Sequence, residues 1–253
     1  MILARRGAGL ALLMGVLLLS GCGTLGLGAR VSDGQRLDPW ENWNRKVFDF
    51  NEAVDVAVFK PVATAYRDVI PRPVRVSVDN FFSNANDAWS AVNHALQGRL
   101  EPTVMMTMRF LTNSVFGVAG LFDPATEIGF ERQSEDFGTT LGRWGFGAGA
   151  YIMLPLLGPS SVRDTIALPF DRLATPAVVV NGGSQQAALT TLQFVNARSN
   201  FLGASKLLDE IALDKYSFVR DAYLARRRSL VAPDDDEPGP DQSSKPVPRL
   251  FRR

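Results

Sequence analysis

Asp38-Pro39-Trp40-Glu41-Asn42-Trp43-Asn44-Arg45-Lys46-Val47-Phe48-Asp49-Phe50-Asn51 is the stretch whose reading decides the fold. Asp38 is a good N-cap residue, Pro39 suits the first helical position, and Glu41 stands three residues after the cap. From there Trp40, Trp43, Val47, Phe50, Val54 and Val58 recur at steps of three and four, which places them on one helical stripe. The other side of the same helix carries Asn44, Asn51 and Asp55. The pattern predicts a helix with an apolar stripe and a polar opposite face, ending or kinking at Pro61.

Downstream, the same period repeats. After Pro71 and Pro73, a second helix is expected from Val74, with Val78, Phe81 and Phe82 on its side. A third is expected over residues 87–97, where Trp89, Val92 and Leu96 are in register and Gly98 fits the position just past the end. Glu101-Pro102 opens another, carrying Val104, Met105, Met108 and Leu111. It leads into a glycine-rich apolar stretch, residues 113–122, broken by Asp123-Pro124. Two more helices fit residues 186–201 and 206–228. Strand alternation is scarce, with residues 151–154 and 177–180 the only short candidates. The expected class is all-α, without internal repeats. Residues 231–253 close the chain with prolines and the run Asp234-Asp235-Asp236-Glu237, too polar to offset the entropy of ordering, and are expected to be a disordered tail.

Upstream, residues 1–21 form a signal peptide: Arg5 and Arg6, an uncharged apolar run from Gly7, then Leu19-Ser20-Gly21-Cys22. The small residues at 20 and 21 suit a signal peptidase, and a cysteine directly after them can be alkylated by diacylglycerol. This string resembles the bacterial lipobox. Cys22 is the only cysteine in the chain, which excludes an internal disulfide framework. Two lipid signals suffice for stable anchoring, so residues 22–37 read as a lipidated tether and 38–230 as one helical domain. Gly23, rather than aspartate, follows the cysteine, and this resembles the default for sorting to the outer membrane.

Composition narrows the function classes. With 27 Lys and Arg against 26 Asp and Glu, the formal net charge of +1 gives no bias toward nucleic acid. Residues 144–162 and 173–197 carry no charge, and glycines, prolines and amides interrupt both. They suit protein lying against lipid, or equally a buried core loop and helix. Enzyme motifs are missing: His94 is the only histidine, Gly158-Pro159-Ser160-Ser161 lacks the closing glycine of a nucleophile elbow, and the glycines at 138, 142, 145, 147 and 149 do not form a dinucleotide fingerprint.

In order and with compatible spacing, the segments above resemble the MlaA (VacJ) lipoproteins. The resemblance begins at Asp38-Pro39-Trp40-Glu41-Asn42-Trp43-Asn44-Arg45 and continues through Lys60-Pro61-Val62-Ala63 and Val78-Asp79-Asn80-Phe81-Phe82. It runs on through Gly120-Leu121-Phe122-Asp123, Glu135-Asp136-Phe137-Gly138, Gly149-Ala150-Tyr151, Leu154-Pro155-Leu156-Leu157-Gly158-Pro159-Ser160, Arg163-Asp164 and Arg220-Asp221-Ala222-Tyr223-Leu224. Ala150 stands where the family usually has proline. The resemblance implies a ring of amphipathic helices lying in the inner leaflet of the outer membrane, on its periplasmic side, around a polar channel. It implies passage of misplaced outer-leaflet phospholipids to a periplasmic carrier, association with a trimeric porin, and neither cofactor, metal nor catalytic residue. The candidate channel or gating residues are Asn44, Phe50, Asn51 and Asp55, together with Asn113, Gly117 and Gly120 of a segment that resembles the family's hairpin beside the channel. Those glycines fit simple turn geometry equally well. Competing readings are a membrane-tethered phospholipase and a structural envelope lipoprotein.

Overall fold

The computed structural model describes residues 37–173, 175–180 and 182–232. Cys22, the signal peptide, nearly all of the tether and the run at 234–237 lie outside them. The elements in order are α1 (Glu41–Val54), a π-helical turn (Asp55–Phe59), α2 (Lys60–Val69), α3 (Arg72–Leu96), α4 (Leu100–Val115) and α5 (Pro124–Glu127). There follow α6 (Phe137–Arg143), β1 (Tyr151–Leu154), β2 (Gly158–Ser161), α7 (Val162–Leu173), α8 (Pro176–Val179), α9 (Gly183–Ile211) and α10 (Lys215–Val231).

Several boundaries differ from the sequence reading, each for a physical reason. Asp38 does not cap α1: Trp40 holds that position without a side-chain bond. Asp38 is buried instead, where its carboxylate accepts from Asn44 Nδ2 at 2.8 Å and from the Tyr216 hydroxyl. Pro61 neither ends nor kinks the helix. Its missing N–H falls just after the π-turn, where the Lys60 N–H reaches back five residues to the Asp55 carbonyl, so α1 and α2 run on as one rod. The second and third expected helices are the single α3, since nothing between Phe82 and Asp87 breaks a helix. Gly98 follows its end in the left-handed region, φ +75°, as expected of a residue in that position. Residues 186–201 and 206–228 also divide elsewhere. Gly203 between them does not break the helix, so α9 runs to Ile211, and Asp214 caps α10 by accepting from the Ser217 N–H at 3.2 Å.

The class is all-α, apart from one β-hairpin. β1 falls on residues 151–154, where the sequence predicts a short strand. Its antiparallel partner β2, in register Tyr151↔Ser161 to Leu154↔Gly158, has no alternation to reveal it. Residues 177–180, the other strand candidate, fall largely in the helical turn α8.

The elements close on themselves. α1 packs on β1, β2 on α10, α10 on α6, α6 on α3, α3 on α9, and α9 on α2, which is continuous with α1. α4 lies along α3 outside this circuit. A small apolar core of Val47, Tyr151, Met153, Tyr216 and Leu224 joins α1, β1 and α10. Elsewhere the usual distribution is inverted. Among the described residues, 18 buried side chains are polar or charged and only 12 hydrophobic, while 34 large hydrophobic side chains are exposed. Water-soluble domains bury apolar groups and rarely bury charge, and exposed apolar surface on this scale marks a surface meant for lipid or protein. No described helix is long and apolar enough to cross a membrane.

Candidate functional site: a strained apolar loop and the buried charges that hold it

The segment leaving α4 turns sharply because three consecutive residues, Val118, Ala119 and Gly120, take left-handed conformations with φ of 52°, 57° and 85°. A β-branched residue there is a true outlier, of the kind costing ~1–3 kcal/mol. The turn is closed by backbone bonds from Gly120 N–H to the Asn113 carbonyl and from Phe122 N–H to the Gly117 carbonyl, both 2.9 Å. Its two inner glycines have no room for a side chain. A Cβ on Gly117 would stand 2.3 Å from the Phe122 carbonyl oxygen, and one on Gly120 would stand 2.7 Å from Asn84 Cβ. From α3, Asn80 donates to the Leu121 carbonyl at 3.2 Å and Asn84 to Ser114 at 3.0 Å. The loop turns Phe116, Val118, Phe122 and Ile128 outward.

What holds this loop is ionic, with Arg109 and Asp87 buried at its centre. Arg109 on α4 is fully buried. It donates to both Asp123 carboxylate oxygens (3.1 and 3.0 Å), to Asp87 on α3 (3.3 Å), to the Thr126 hydroxyl (3.1 Å) and to the Phe130 carbonyl. Arg132 reaches Asp87 at 2.9 Å from the far side of the loop. Asn113 donates to Asp123 at 2.9 Å and accepts from the Ala125 N–H at 3.0 Å. Burial pushes the Asp87 carboxyl up despite Arg132 and Arg109. For Asp123 burial acts the same way, but hydrogen bonds from Thr126 and Asn113, together with the charge of Arg109, prevail and hold its pKa below the usual range. Four charges therefore clamp α3, α4 and both ends of the loop together.

The polar face of α1 is a docking face. Asn44, fully buried, donates to the Tyr151 carbonyl at 3.1 Å and accepts from the Met153 N–H at 2.9 Å. Asn51, two turns on, repeats the pattern with the Leu154 carbonyl (3.0 Å) and the Leu156 N–H (2.8 Å). The two amides thus pair with the free edge of β1 and the turn at Pro155 as a neighbouring strand would. Asp55 accepts a two-pronged pair from Arg198 on α9, at 2.6 and 2.7 Å. Phe50 lies on the outward side, half exposed. The candidate residues therefore form two groups: Asn44, Asn51 and Asp55 fix the α1 rod, and Asn113, Gly117, Gly120 and Asn80 shape the loop.

The remaining motif residues are also accounted for. Asp136 caps α6 in a capping box with Thr139, Phe137 packs edge-on against Trp144 and at a tilt against Phe170, and Phe81 packs edge-on with Phe82. Glu135 accepts from Thr139 and lies 3.6 Å from Arg99. Asp164 binds Arg163, Tyr223 and Arg227 across α7 and α10, against Gly138. Arg109, Asp123, Asp87 and Arg132 were not singled out as a site from the sequence, although Arg109 is a lone charge among Met106, Met108, Phe110 and Leu111, and that interruption was a signal. His94 is committed internally. Arg99 donates to its Nδ1 at 3.2 Å, so the proton lies on Nε2, which donates to the Gln133 carbonyl at 3.0 Å.

A closed circuit of helices, polar inside and apolar outside, defines a class of amphipathic ring built to face lipid. The chain belongs to the MlaA lipoprotein family, whose model matches residues 36–230. It is 34% identical to the intermembrane phospholipid transport system lipoprotein MlaA of Shigella flexneri, over 85% of each chain. To the protein of that name from Escherichia coli K12 it is 33% identical, again over 85% of each. An uncharacterized protein of Rickettsia bellii is 31% identical over 78% of both. A solved structure described as "Structural basis for maintenance of bacterial outer membrane lipid asymmetry" superposes with a TM-score of 0.67 at 32% identity, covering 77% of this chain and 99% of that one.

Proposed function

We propose that this chain, anchored through Cys22 to the periplasmic side of the outer membrane, removes misplaced phospholipids from the outer leaflet through a polar channel and passes them to a periplasmic carrier. The ring sits in the inner leaflet, with a trimeric porin as its neighbour. The observation that carries this reading is the inverted polarity of a fold whose described helices cannot span a bilayer. Its apolar exterior suits acyl chains, and its polar interior suits a headgroup, for which bare hydrocarbon would cost several kcal/mol. The names of the Shigella and Escherichia relatives point the same way. In this account Asn44, Asn51 and Asp55 set the position of the α1 rod at the channel rim, with Phe50 on it. Asn113, Gly117 and Gly120 give the apolar loop the shape with which it gates passage. Transport needs no covalent step and no cofactor.

Mass spectrometry of the chain extracted from membranes tests this against the phospholipase reading. Intact phospholipid should co-purify, and incubation with phospholipid vesicles should yield no lysophospholipid. Hydrolysis that is lost in His94→Gln would overturn the proposal.

A further inference from the structure

A pocket of about 380 Å³ lies in the wall of the ring between α6, α7 and α10, at the place where Leu37 brings the tether onto β1. Its lining is mostly apolar, with Leu37, Phe146, Leu224 and Val231 among the walls, and it also includes Arg163, Arg227, Arg228 and Asp164.

The charges there do not balance. Arg227 is matched by Asp136 at 2.6 Å and by Asp164 at 2.7 Å. The same Asp164 must also serve Arg163, whose Nε reaches it at 2.9 Å, and the Tyr223 hydroxyl at 2.5 Å. Arg163 is only 6% exposed, yet beyond that bond it has, among the described residues, just a long contact to the Phe146 carbonyl, and its Nη2 has no partner there. A buried guanidinium nitrogen without an acceptor is expensive. Arg228, exposed at the edge, has no carboxylate partner among the described residues.

Helix α6 is cut back to admit these guanidinium groups. A Cβ on Gly138 would stand 2.7 Å from Arg227 Nη2, and one on Gly142 would stand 2.5 Å from Arg163 Nη1. Two glycines weaken a seven-residue helix, so the space they leave is a built feature.

We propose that this pocket binds the headgroup of an anionic glycerophospholipid, its phosphodiester facing Arg163 and Arg228 and its glycerol and upper acyl carbons against the apolar walls. Arginine forks match phosphate oxygens in pairs, and the volume lies within the range of small-ligand sites. Inorganic phosphate would answer the charge but leave the apolar walls facing water, so the amphiphile is the fitting ligand. The proposal rests on the reading that this chain handles phospholipids, and it adds a headgroup preference and a seat for it beside the tether.

The test is calorimetric titration of the purified full chain with short-chain phosphatidylglycerol below its micellar concentration. Short-chain phosphatidylcholine, glycerophosphate and inorganic phosphate serve as separate arms. Saturable binding of phosphatidylglycerol is expected, at least tenfold tighter than any of the other three. Arg228→Glu, a surface change that should not disturb folding, should weaken it at least tenfold, and Arg163→Lys, which keeps the charge but loses the fork, should weaken it as well. Phosphate binding as tightly as the lipid, equal binding of phosphatidylcholine, or unchanged affinity in folded Arg228→Glu would each overturn the proposal. If phosphatidylglycerol binds as described but cells lacking the chain keep a normal outer leaflet, the transport reading fails and the pocket stands. The reverse pair of results removes the pocket and leaves transport.

Discussion

Arg109, Gly120 and His94 are the side-chain positions where the account meets single substitutions. Arg109→Met would remove the buried cation that Asp87 and Asp123 share and leave them only the partly exposed Arg132. Breaking a buried pair from one side costs about 3–5 kcal/mol, so chemical denaturation should show a loss of that size. Gly120→Ala and Gly98→Ala form a controlled comparison. Both positions have φ near +80°, but a Cβ meets Asn84 at the first and nothing at the second. Gly98→Ala should cost ~1–2 kcal/mol for the left-handed backbone alone, and Gly120→Ala distinctly more, with loosening of the loop seen by hydrogen exchange. Burial, the largest influence, lowers the His94 pKa below its usual 6.5; Arg99 and Arg143 act the same way, and the Gln133 carbonyl and Glu135 oppose them. A lowered histidine pKa stabilises the fold above the unfolded value and loses that contribution as pH falls below 6.5 toward the folded value. Denaturation midpoints should therefore decline over that interval, and His94→Gln should flatten the decline. An equal slope in both proteins would rule His94 out as its source.

At the scale of elements, the sequence was legible wherever apolar period and glycine or proline punctuation agreed, as in the α1 stripe, the start of α4, Gly98 and β1. It misled where tertiary partners outweighed local preference. Asp38 has the chemistry of a cap, but Tyr216 and Asn44 claim it. Pro61 ordinarily breaks a helix, but a π-turn precedes it. The polar side of α1 was legible as polar, whereas its pairing with β1 depends on a strand 107 residues away from Asn44, which periodicity cannot reveal. Deleting Phe50 and Asn51 tests this rod. It rotates the preceding turns by about 200° relative to the rest, so Asn44 and Asp55 cannot both keep their partners. The variant should still fractionate with the outer membrane while surface phospholipid or detergent sensitivity changes. A correctly localised deletion protein with wild-type behaviour in both would remove α1 from the gating account.

For the whole molecule, the inversion of polarity could not be read residue by residue, because an exposed stripe and a buried one have the same period. Only the closed circuit of helices assigns the apolar sides outward. The proposed anchor is tested separately: Cys22→Ala should abolish labelling by a fatty-acid probe and fractionation with the outer membrane, and persistence of both would contradict a lipid anchor at that residue. The central claim concerns the lipid itself. Phospholipid in the outer leaflet, measured by a membrane-impermeant amine label on intact cells with and without this chain, should rise when the chain is absent and return to normal when it is restored. An unchanged outer leaflet in cells proven to lack the protein would contradict the account.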